Sequence, residues 1–129
     1  MKTHIRRFKL SDTFIDNYKD KEVPWGPLGY VTFKRTYARR LSEFEPDTTG
    51  TEEWYQTCRR VIEGMLEMQK QHVYKLGLEW NDQKSQKTAK DAYDRLFNLK
   101  WTPPGRGLWM MGTKFVNTPP DRDWETCCF

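Results

Sequence analysis

One stripe of apolar residues, spaced by three and four, constrains the fold of this chain more than any other feature. The stripe contains no proline, so it predicts a single long helix over residues 51–76 that buries one face. Thr51, followed by Glu52 and Glu53, is typical of a helix start, and Gly77 predicts the end. The apolar positions are Trp54, Cys58, Val61, Ile62, Met65, Met68, Val73 and Leu76.

Two shorter helices are predicted on either side of the long one. Ser11, followed by Asp12, is typical of an N-cap with an acidic first turn and predicts a helix over residues 11–19. Asn81 and the acid after it can cap another helix over residues 83–99, which delivers the chain into Trp101. The apolar face of this last helix consists of Ala89, Ala92, Tyr93, Leu96, Phe97 and Leu99.

A further helix is predicted over residues 28–43, after a connector over 19–29 that is rich in proline and glycine. Its apolar face would carry Tyr30, Phe33, Tyr37 and Leu41, with Arg35 and Arg39 on the opposite strip. The alternation of residues 30–33 leaves a strand as the alternative for that stretch. Trp25 is expected to pin the connector to the body. The fold class expected from the whole pattern is mainly α.

Composition restricts the class of protein. A length of 129 residues suits one domain, and the mean hydropathy of −0.94 with 31% charged residues indicates a well-solvated surface. No apolar run approaches the roughly 18 residues that span a bilayer, and residues 1–10 lack the apolar core of a secretory signal. The three cysteines suit a reducing cytoplasm, with Cys58 as a buried hydrophobe. Neither His4 nor His72 belongs to a metal-binding spacing, so no metal site is predicted.

The segment WTPPGRGLWMMGT, residues 101–113, has the composition of a site. Thr102 and the two prolines after it cannot continue a helix, while Gly105 and Gly107 permit backbone conformations that other residues avoid. Arg106 lies between these glycines. Residues 108–111 form a bulky apolar run that is interpreted as buried extended chain or one tight turn.

Three stretches carry a resemblance to a known family. WGPLGYVTFKRTYARRL, TEEWYQTCRRVIEGM and NLKWTPPGRGLWMMGT, the last followed fourteen residues later by a cysteine, resemble the N-terminal region of monomeric adenosylcobalamin-dependent (class II) ribonucleoside-triphosphate reductases, including those carried by phages. The resemblance covers roughly residues 8–116. It implies a helical N-terminal layer over residues 1–100 that packs against a ten-stranded α/β barrel, with residues 101–129 forming the turn at the substrate mouth and the start of the first barrel strand.

The resemblance also implies a chemistry. In such enzymes adenosylcobalamin generates a cysteine thiyl radical that removes the ribose 3′-hydrogen, and two further cysteines supply electrons and become a disulfide. Cys127 matches the reducing cysteine of the first strand, and Cys128 matches a neighbour that points to the opposite face. Thr102 and, more weakly, Arg106 match the place where phosphate oxygens of the ribonucleoside triphosphate are received. The alternatives are that Thr102 only forms the turn and that Arg106 braces it by bonding to carbonyls.

The remaining expectations concern partners. The cobalamin site should lie mainly in barrel segments absent from this chain, which alone should be inert and should act with a complementary barrel chain or downstream segment and a thioredoxin-like reductant. Residues 117–126 depart from the family pattern, since prolines and acids replace its small residues. This indicates a split, interrupted or truncated reductase gene; a protein-splicing element and divergence of a fragment both remain open.

A second function from another class is a small basic helical module that binds nucleic acid or a protein partner. Its candidate residues are Lys34, Arg35, Arg39, Arg40, Arg59 and Arg60. Such a module needs aromatic side chains interleaved with exposed basic ones. Phe33 and Tyr37 instead fall on the apolar face of their helix, so no direct nucleic-acid contact is expected.

Overall fold

The protein is described by a computed structural model that covers residues 7–113 and residue 116. The elements are α1 (Asp12–Asp16), α2 (Pro27–Thr36), a 3₁₀ turn η1 (Leu41–Glu43), α3 (Trp54–Lys75), α4 (Asp82–Phe97) and α5 (Gly105–Met110). Within these residues extended pairing is limited to one isolated antiparallel bridge between Arg40 and Thr51. The prediction of a mainly α fold is confirmed for this part of the chain.

The long helix α3 is confirmed, with a later start than predicted. It begins at Trp54 because Thr51 is engaged in the bridge, and the side chain of Gln56 accepts the backbone N–H of Glu53 at 2.8 Å, as in the returning half of a capping box. It ends at Lys75, just before Gly77, whose φ of +72° reverses the chain as expected.

The buried face of α3 differs from the predicted stripe. Its first half is apolar and buried as expected, but Met65 is 37% exposed and Leu76 is 61% exposed. Several polar residues are buried instead: Thr57, Arg60, Glu67 and Lys70. The difference arises because α3 packs against the residues before α1 and against α5 as well as against α4. Glu67 bonds to the first of these segments and Arg60 bonds to the second.

Helix α4 packs along α3 and provides much of the core. Asn81 caps it, since its side-chain oxygen accepts the N–H of Lys84 at 3.0 Å. The prediction of this helix is therefore confirmed, with an end two residues earlier at Phe97. The indole N–H of Trp54 donates to the carbonyl of Phe97 at 3.0 Å and joins the two helices. The fully buried side chains on α4 include Ala89, Tyr93, Leu96 and Phe97.

Helix α1 is shorter than predicted and is not capped by a side chain. The hydroxyl of Ser11 pairs with that of Thr13 at 2.8 Å instead of a backbone amide. Ile15 and Tyr18 are nevertheless buried, and the hydroxyl of Tyr18 donates to a carboxylate oxygen of Asp94 at 2.6 Å. The side chain of Tyr18, just after the helix, therefore ties this region to α4.

The residues before α1 are held on α3 by a repeated contact. Glu67 accepts the N–H of Phe8 at 2.6 Å and Glu63 accepts the N–H of Leu10 at 2.9 Å, while Arg59 donates to the carbonyl of Leu10 at 3.1 Å. Phe8 and Leu10 are buried and the residue between them is exposed, as in extended chain. Two extended residues span about 6.6 Å and four helical residues span about 6 Å. The spacing of the amides of residues 8 and 10 therefore matches the spacing of the carboxylates of Glu63 and Glu67.

The predicted helix over residues 28–43 is wrong in its second half. Helix α2 ends at Thr36, the carbonyl of Phe33 accepts from both Tyr37 and Ala38, and the N–H of Arg39 donates to Glu52 at 2.9 Å. A tertiary acceptor therefore replaces the next helical bond. Arg39 is consequently outside the helix and 7% exposed, and does not lie on the strip opposite the apolar face as predicted. The strand alternative for residues 30–33 is wrong, because these residues are helical.

The connector before α2 is pinned by Trp25, as predicted. Its ring stacks on Phe33 with centroids 5.3 Å apart and contacts Trp54 at 4.9 Å. These contacts attach α2 to the start of α3. The outer face of α2 carries no such contacts at Leu28 and Val31, which are 79% and 57% exposed.

Candidate substrate-facing segment

The chain reverses sharply between α4 and the segment that carries the predicted substrate residues. Leu99 adopts a φ of +58°, a position usually taken by glycine at a helix end. The N–H of Leu99 donates to Leu96 at 3.0 Å and that of Lys100 to Arg95 at 2.9 Å, which satisfies the last carbonyls of α4. The indole of Trp101 then donates back to Ala92 at 3.2 Å. The reversal therefore has a fixed geometry.

The segment contains a short helix where extended chain or one tight turn was predicted. Helix α5 begins at Gly105, with the carbonyl of Pro104 accepting the N–H of Leu108 at 3.0 Å. A proline before the first turn suits a helix start, because its fixed φ leads into the helix and a donor is not needed there. The expectation for Gly105 and Gly107 is also corrected, since among the glycines of this segment the positive φ, +78°, belongs to Gly112.

The predicted substrate residues lie at the start of this segment. Thr102 and Arg106 are both exposed, whereas Gly107 and Leu108 behind them are buried. Cys127, the predicted redox residue, falls outside the residues that the structure describes. The role of each of these three residues remains a prediction.

Beneath α5 lies a buried ion pair that sequence reasoning missed. Glu52 is 2% exposed and accepts from Arg60 at 2.9 Å, from the hydroxyl of Thr57 at 3.2 Å and from the N–H of Arg39. Arg60 in turn donates to carbonyls at the end of α5. In the sequence Glu52 and Arg60 resemble ordinary surface charges. The one signal was Gly64, a glycine in the middle of a long helix.

Gly64 and Gly112 allow the two backbones to approach each other. A Cβ atom on Gly64 would lie 2.5 Å from the backbone nitrogen of Gly112, and a Cβ atom on Gly112 would collide with the backbone oxygen of Arg60. Neither position can therefore carry a side chain without a backbone shift. We call Glu52, Arg60, Gly64 and Gly112 together the α5 junction.

The exposed side of α5 is held by aromatic contacts. Trp109 is 45% exposed, and the guanidinium of Arg39 lies 4.9 Å from its ring centroid while donating to Glu43 at 2.7 Å. The hydroxyl of Tyr37 would be 3.2 Å from a Cβ atom on Gly105, so this ring covers the start of the helix. The segment is thus supported from the region between α2 and η1 as well as from α3.

The basic residues proposed for a nucleic-acid module are mostly paired with acids. Lys34 contacts Glu53 at 2.7 Å, and Arg39, Arg59 and Arg60 each contact a carboxylate at 2.9 Å or less. Arg39 and Arg60 are buried as well. A phosphate backbone needs exposed cations whose charge is not already neutralised. The alternative function therefore has no support from these four residues.

Burial controls the titration of several side chains. Burial raises the pKa of the Cys58 thiol well above its ordinary value, so this cysteine stays protonated, in agreement with its interpretation as a hydrophobe. Burial also raises the pKa of Tyr93, and burial with the hydrogen bond to Asp94 raises that of Tyr18. The hydrogen bond from Arg59 lowers the pKa of the Asp12 carboxyl.

A concave region lies beside α3, between the residues before α1 and the η1 region. It has a volume of about 560 Å³ and is lined by both acids and bases, among them Arg7, Lys19, Glu45, Arg59 and Glu63. A pocket that binds a drug-sized ligand typically has a volume of about 300–1,000 Å³ and largely apolar walls. A corrinoid with its nucleotide tail and adenosyl group is much larger, so this concave region does not fit it.

The described residues contain neither a cluster of metal ligands nor a helix that could cross a membrane. Over residues 7–113 and 116, the side chains of histidine, cysteine, aspartate and glutamate form no group of three or more that could hold a metal ion. In the same residues no helix combines the length and the apolar character needed to cross a bilayer.

Comparison with known proteins defines the class. Residues 10–113 match the family model described as the ribonucleotide reductase alpha domain. This match covers most of the chain, and the chain belongs to the ribonucleotide reductase alpha-domain family. The resemblance inferred from the sequence is thereby confirmed.

The similar proteins are adenosylcobalamin-dependent members of this family. The chain is 39% identical over 115 residues to a probable adenosylcobalamin-dependent ribonucleoside-triphosphate reductase of Dictyostelium discoideum, 40% over 110 residues to the enzyme of Euglena gracilis, and 38% over 113 residues to that of Lactobacillus leichmannii. These matches cover 88%, 83% and 87% of this chain but only 14%, 14% and 15% of the relatives.

A solved structure shares the fold. The crystal structure of a B12-dependent (class II) ribonucleotide reductase superposes with a TM-score of 0.68 at 35% identity. The superposition covers 88% of this chain and 15% of that one. The helical arrangement described above is therefore the fold of the corresponding part of that enzyme.

Proposed function

We propose that this chain forms the helical N-terminal layer of an adenosylcobalamin-dependent ribonucleoside-triphosphate reductase. The observation that carries the proposal is the agreement of sequence and fold over one continuous region, at 35% identity and a TM-score of 0.68. The chain spans about 15% of the length of its relatives, so the reaction requires the remainder, supplied by the same polypeptide or by another. Residues 1–100 provide the layer, and residues 101–129 lead into the first strand of a ten-stranded barrel.

In this proposal the chain contributes to a reaction centred elsewhere. Adenosylcobalamin, when bound by the remainder of the enzyme, supplies the radical that begins the reduction. Thr102 and Arg106 then contact the phosphates of the ribonucleoside triphosphate, through a hydroxyl and a guanidinium that are both exposed. Cys127 supplies one of the two thiols that become a disulfide, which a thioredoxin-like protein reduces again.

The test of the proposal is complementation. The full chain is mixed with a form of the Lactobacillus leichmannii relative that begins after the position matching Phe129, and ribonucleoside-triphosphate reduction is measured with adenosylcobalamin present. We expect reduction by the mixture and none by either chain alone. A mixture that forms a complex on a sizing column, yet reduces no nucleotide, would contradict the proposal.

The substrate contact is tested in the same mixture. Thr102→Val should raise the KM for the ribonucleoside triphosphate severalfold with little change in kcat, because it removes one hydroxyl from the bound state. Thr88→Val is the matched control, since Thr88 is exposed on α4 and donates only to the carbonyl of Lys84. Equal KM values for the two variants would reject the contact.

The redox residue is tested by thiol mapping after one turnover without external reductant. A disulfide between Cys127 and a cysteine of the complementing chain supports the assignment. Cys127→Ser should abolish multiple turnover and Cys128→Ser should not. The opposite pattern would assign the role to Cys128.

A further inference from the structure

The guanidinium of Arg60 satisfies several carbonyls at the end of α5. One terminal nitrogen, Nη1, donates to the carbonyl of Met111 at 2.6 Å and more weakly to that of Trp109 at 3.4 Å, and the other, Nη2, donates to that of Leu108 at 2.9 Å. The last carbonyls of a helix have no partner inside it. Arg60 therefore acts as the C-terminal cap of α5, supplied by a different helix.

The remaining donors of Arg60 anchor it from below. Its Nε donates to Glu52 at 2.9 Å and its Nη2 donates to the same carboxylate at 3.1 Å. Glu52 is itself fixed by the hydroxyl of Thr57 and the N–H of Arg39. A guanidinium has five N–H groups in one plane, and here every one has an acceptor. The guanidinium plane of Arg60 therefore cannot rotate without losing a hydrogen bond.

The backbone contact between Gly64 and Gly112 sets the depth of the segment on α3. Gly112 leads directly into Thr113, which is buried and donates to the carbonyl of Met110 through both its N–H and its hydroxyl. The end of α5 is thus fixed in rotation by Arg60 and in distance by the two glycines. At the other end of this segment, Arg106 lies in the first turn of α5 and Thr102 lies three residues before the helix begins.

We propose that Arg60, supported by Glu52, is a positioning residue for the substrate-facing segment: it sets where Thr102 and Arg106 stand relative to the rest of the enzyme. This proposal rests on the proposed reductase function. Lysine at this position would keep the charge but would present one ammonium in place of a planar fork. It could satisfy Glu52 or the carbonyls of α5, but not both in the observed geometry.

Arg59 provides the matched control. It precedes Arg60 on α3 and is also paired with carboxylates, but it donates to Leu10, Asp12 and Glu63, away from α5. Arg59→Lys therefore makes the same chemical change on the same helix without touching the segment.

The first measurement uses the reconstituted mixture. Arg60→Lys should raise the KM for the ribonucleoside triphosphate about tenfold, since a displacement of about 1 Å can cost more than that. The kcat at saturating substrate should change much less, and Arg59→Lys should leave both constants near those of the unchanged chain. Equal KM values for the two lysine variants would overturn the proposal. If the unchanged chain forms a complex but supports no reduction, the proposed function fails, and the second measurement alone decides the role of Arg60.

The second measurement does not depend on activity and uses the full chain labelled with 5-fluorotryptophan. The ¹⁹F resonance of Trp109, assigned with Trp109→Phe, should shift or broaden in Arg60→Lys. The resonance of Trp54 should stay in place, because Trp54 packs against Trp25 and Phe33 and donates to the carbonyl of Phe97 rather than to α5. Arg59→Lys should move neither resonance. A Trp109 resonance unchanged in Arg60→Lys would overturn the proposal whatever the kinetics show.

Discussion

Helix α3 is attached to α4 and to α5 by different kinds of interaction. Against α4 it shares a buried core that includes Cys58, Tyr93, Leu96 and Phe97, and we call this core the aromatic interface. Phe14 and Tyr18 complete it from α1 and the turn after α1, with ring centroids 4.9–5.4 Å apart in the contacts of Tyr18 with Tyr93 and Phe97 and of Phe14 with Tyr93. Against α5 it uses the α5 junction, where a buried ion pair and a contact between two backbones replace apolar side chains.

The two attachments differ in what they specify. Apolar packing is non-directional and roughly proportional to buried area, so several side chains of similar volume can serve. A guanidinium that bonds to five acceptors allows one arrangement only. The attachment of α3 to α4 therefore contributes mainly stability, whereas the attachment to α5, the segment with the predicted substrate residues, mainly fixes position.

The largest expected effect is the removal of the carboxylate from the α5 junction. Glu52→Ala leaves Arg60 buried without its counter-ion, which should lower the free energy of unfolding by about 3–5 kcal/mol. The neighbouring Glu53→Gln should cost less than about 1 kcal/mol, because the pair of Glu53 with Lys34 is half exposed. Urea unfolding of the full chain measures both. A loss for Glu52→Ala no greater than for Glu53→Gln would show that the junction does not differ from a surface pair.

The aromatic interface should tolerate changes of shape better than changes of volume. Leu96 is fully buried, so Leu96→Ala should cost about 2–5 kcal/mol, whereas Leu96→Met should cost less than about 1.5 kcal/mol. Thermal unfolding of the two variants checks this expectation. If the methionine variant loses as much as the alanine variant, the interface is as exacting as the junction and the contrast fails.

The smallest expected effect is a loss of stability at alkaline pH that originates at the aromatic interface. Cys58, Tyr18 and Tyr93 have raised pKa values in the folded state, so they hold their protons more tightly there than in the unfolded chain. Their contribution is therefore complete below the unfolded pKa values, 9.0 for the thiol and 10.0 for the phenols, and is lost as pH rises through and above them.

Each of these groups can contribute a slope of at most about 1.4 kcal/mol per pH unit. Thermal unfolding midpoints measured from about pH 7 to about pH 11 should fall in the upper half of that range. Cys58→Ala should remove the earliest part of the fall, and Tyr93→Phe should make the later part shallower. A flat profile up to about pH 11 would mean that these groups titrate alike in the folded and unfolded states.

The sequence predicted the fold well where the interactions are local. The long helix α3 and the capped helix α4 follow from periodicity and from Gly77 and Asn81, which lie next to the residues they affect. The break after α2 could not be predicted in this way, because the N–H of Arg39 finds its acceptor on Glu52, thirteen residues away. Helix α5, with six residues, is too short for periodicity to detect.

The candidate site could be predicted only in part. Thr102, Arg106 and Cys127 came from the resemblance to a family, and the structure adds exposure for the first two. The residues that support the site were missed because a buried Glu52 and Arg60 are indistinguishable from solvated charges until the chain that covers them is located. Gly64 and Gly112 lie 48 positions apart in the sequence, so their contact has no local signature.

The match in spacing between α3 and the residues before α1 makes that edge of the protein sensitive to length as well as to apolar character. The bonds run from backbone amides of residues 8 and 10, so one buried apolar side chain can replace another there without loss of the donors. An insertion of one residue between Glu63 and Glu67 would instead rotate one carboxylate by about 100° around the helix. A deletion between Phe8 and Leu10 would turn one amide away from its acceptor. Related chains should therefore exchange one apolar side chain for another at residues 8 and 10 while they keep the number of residues between these positions.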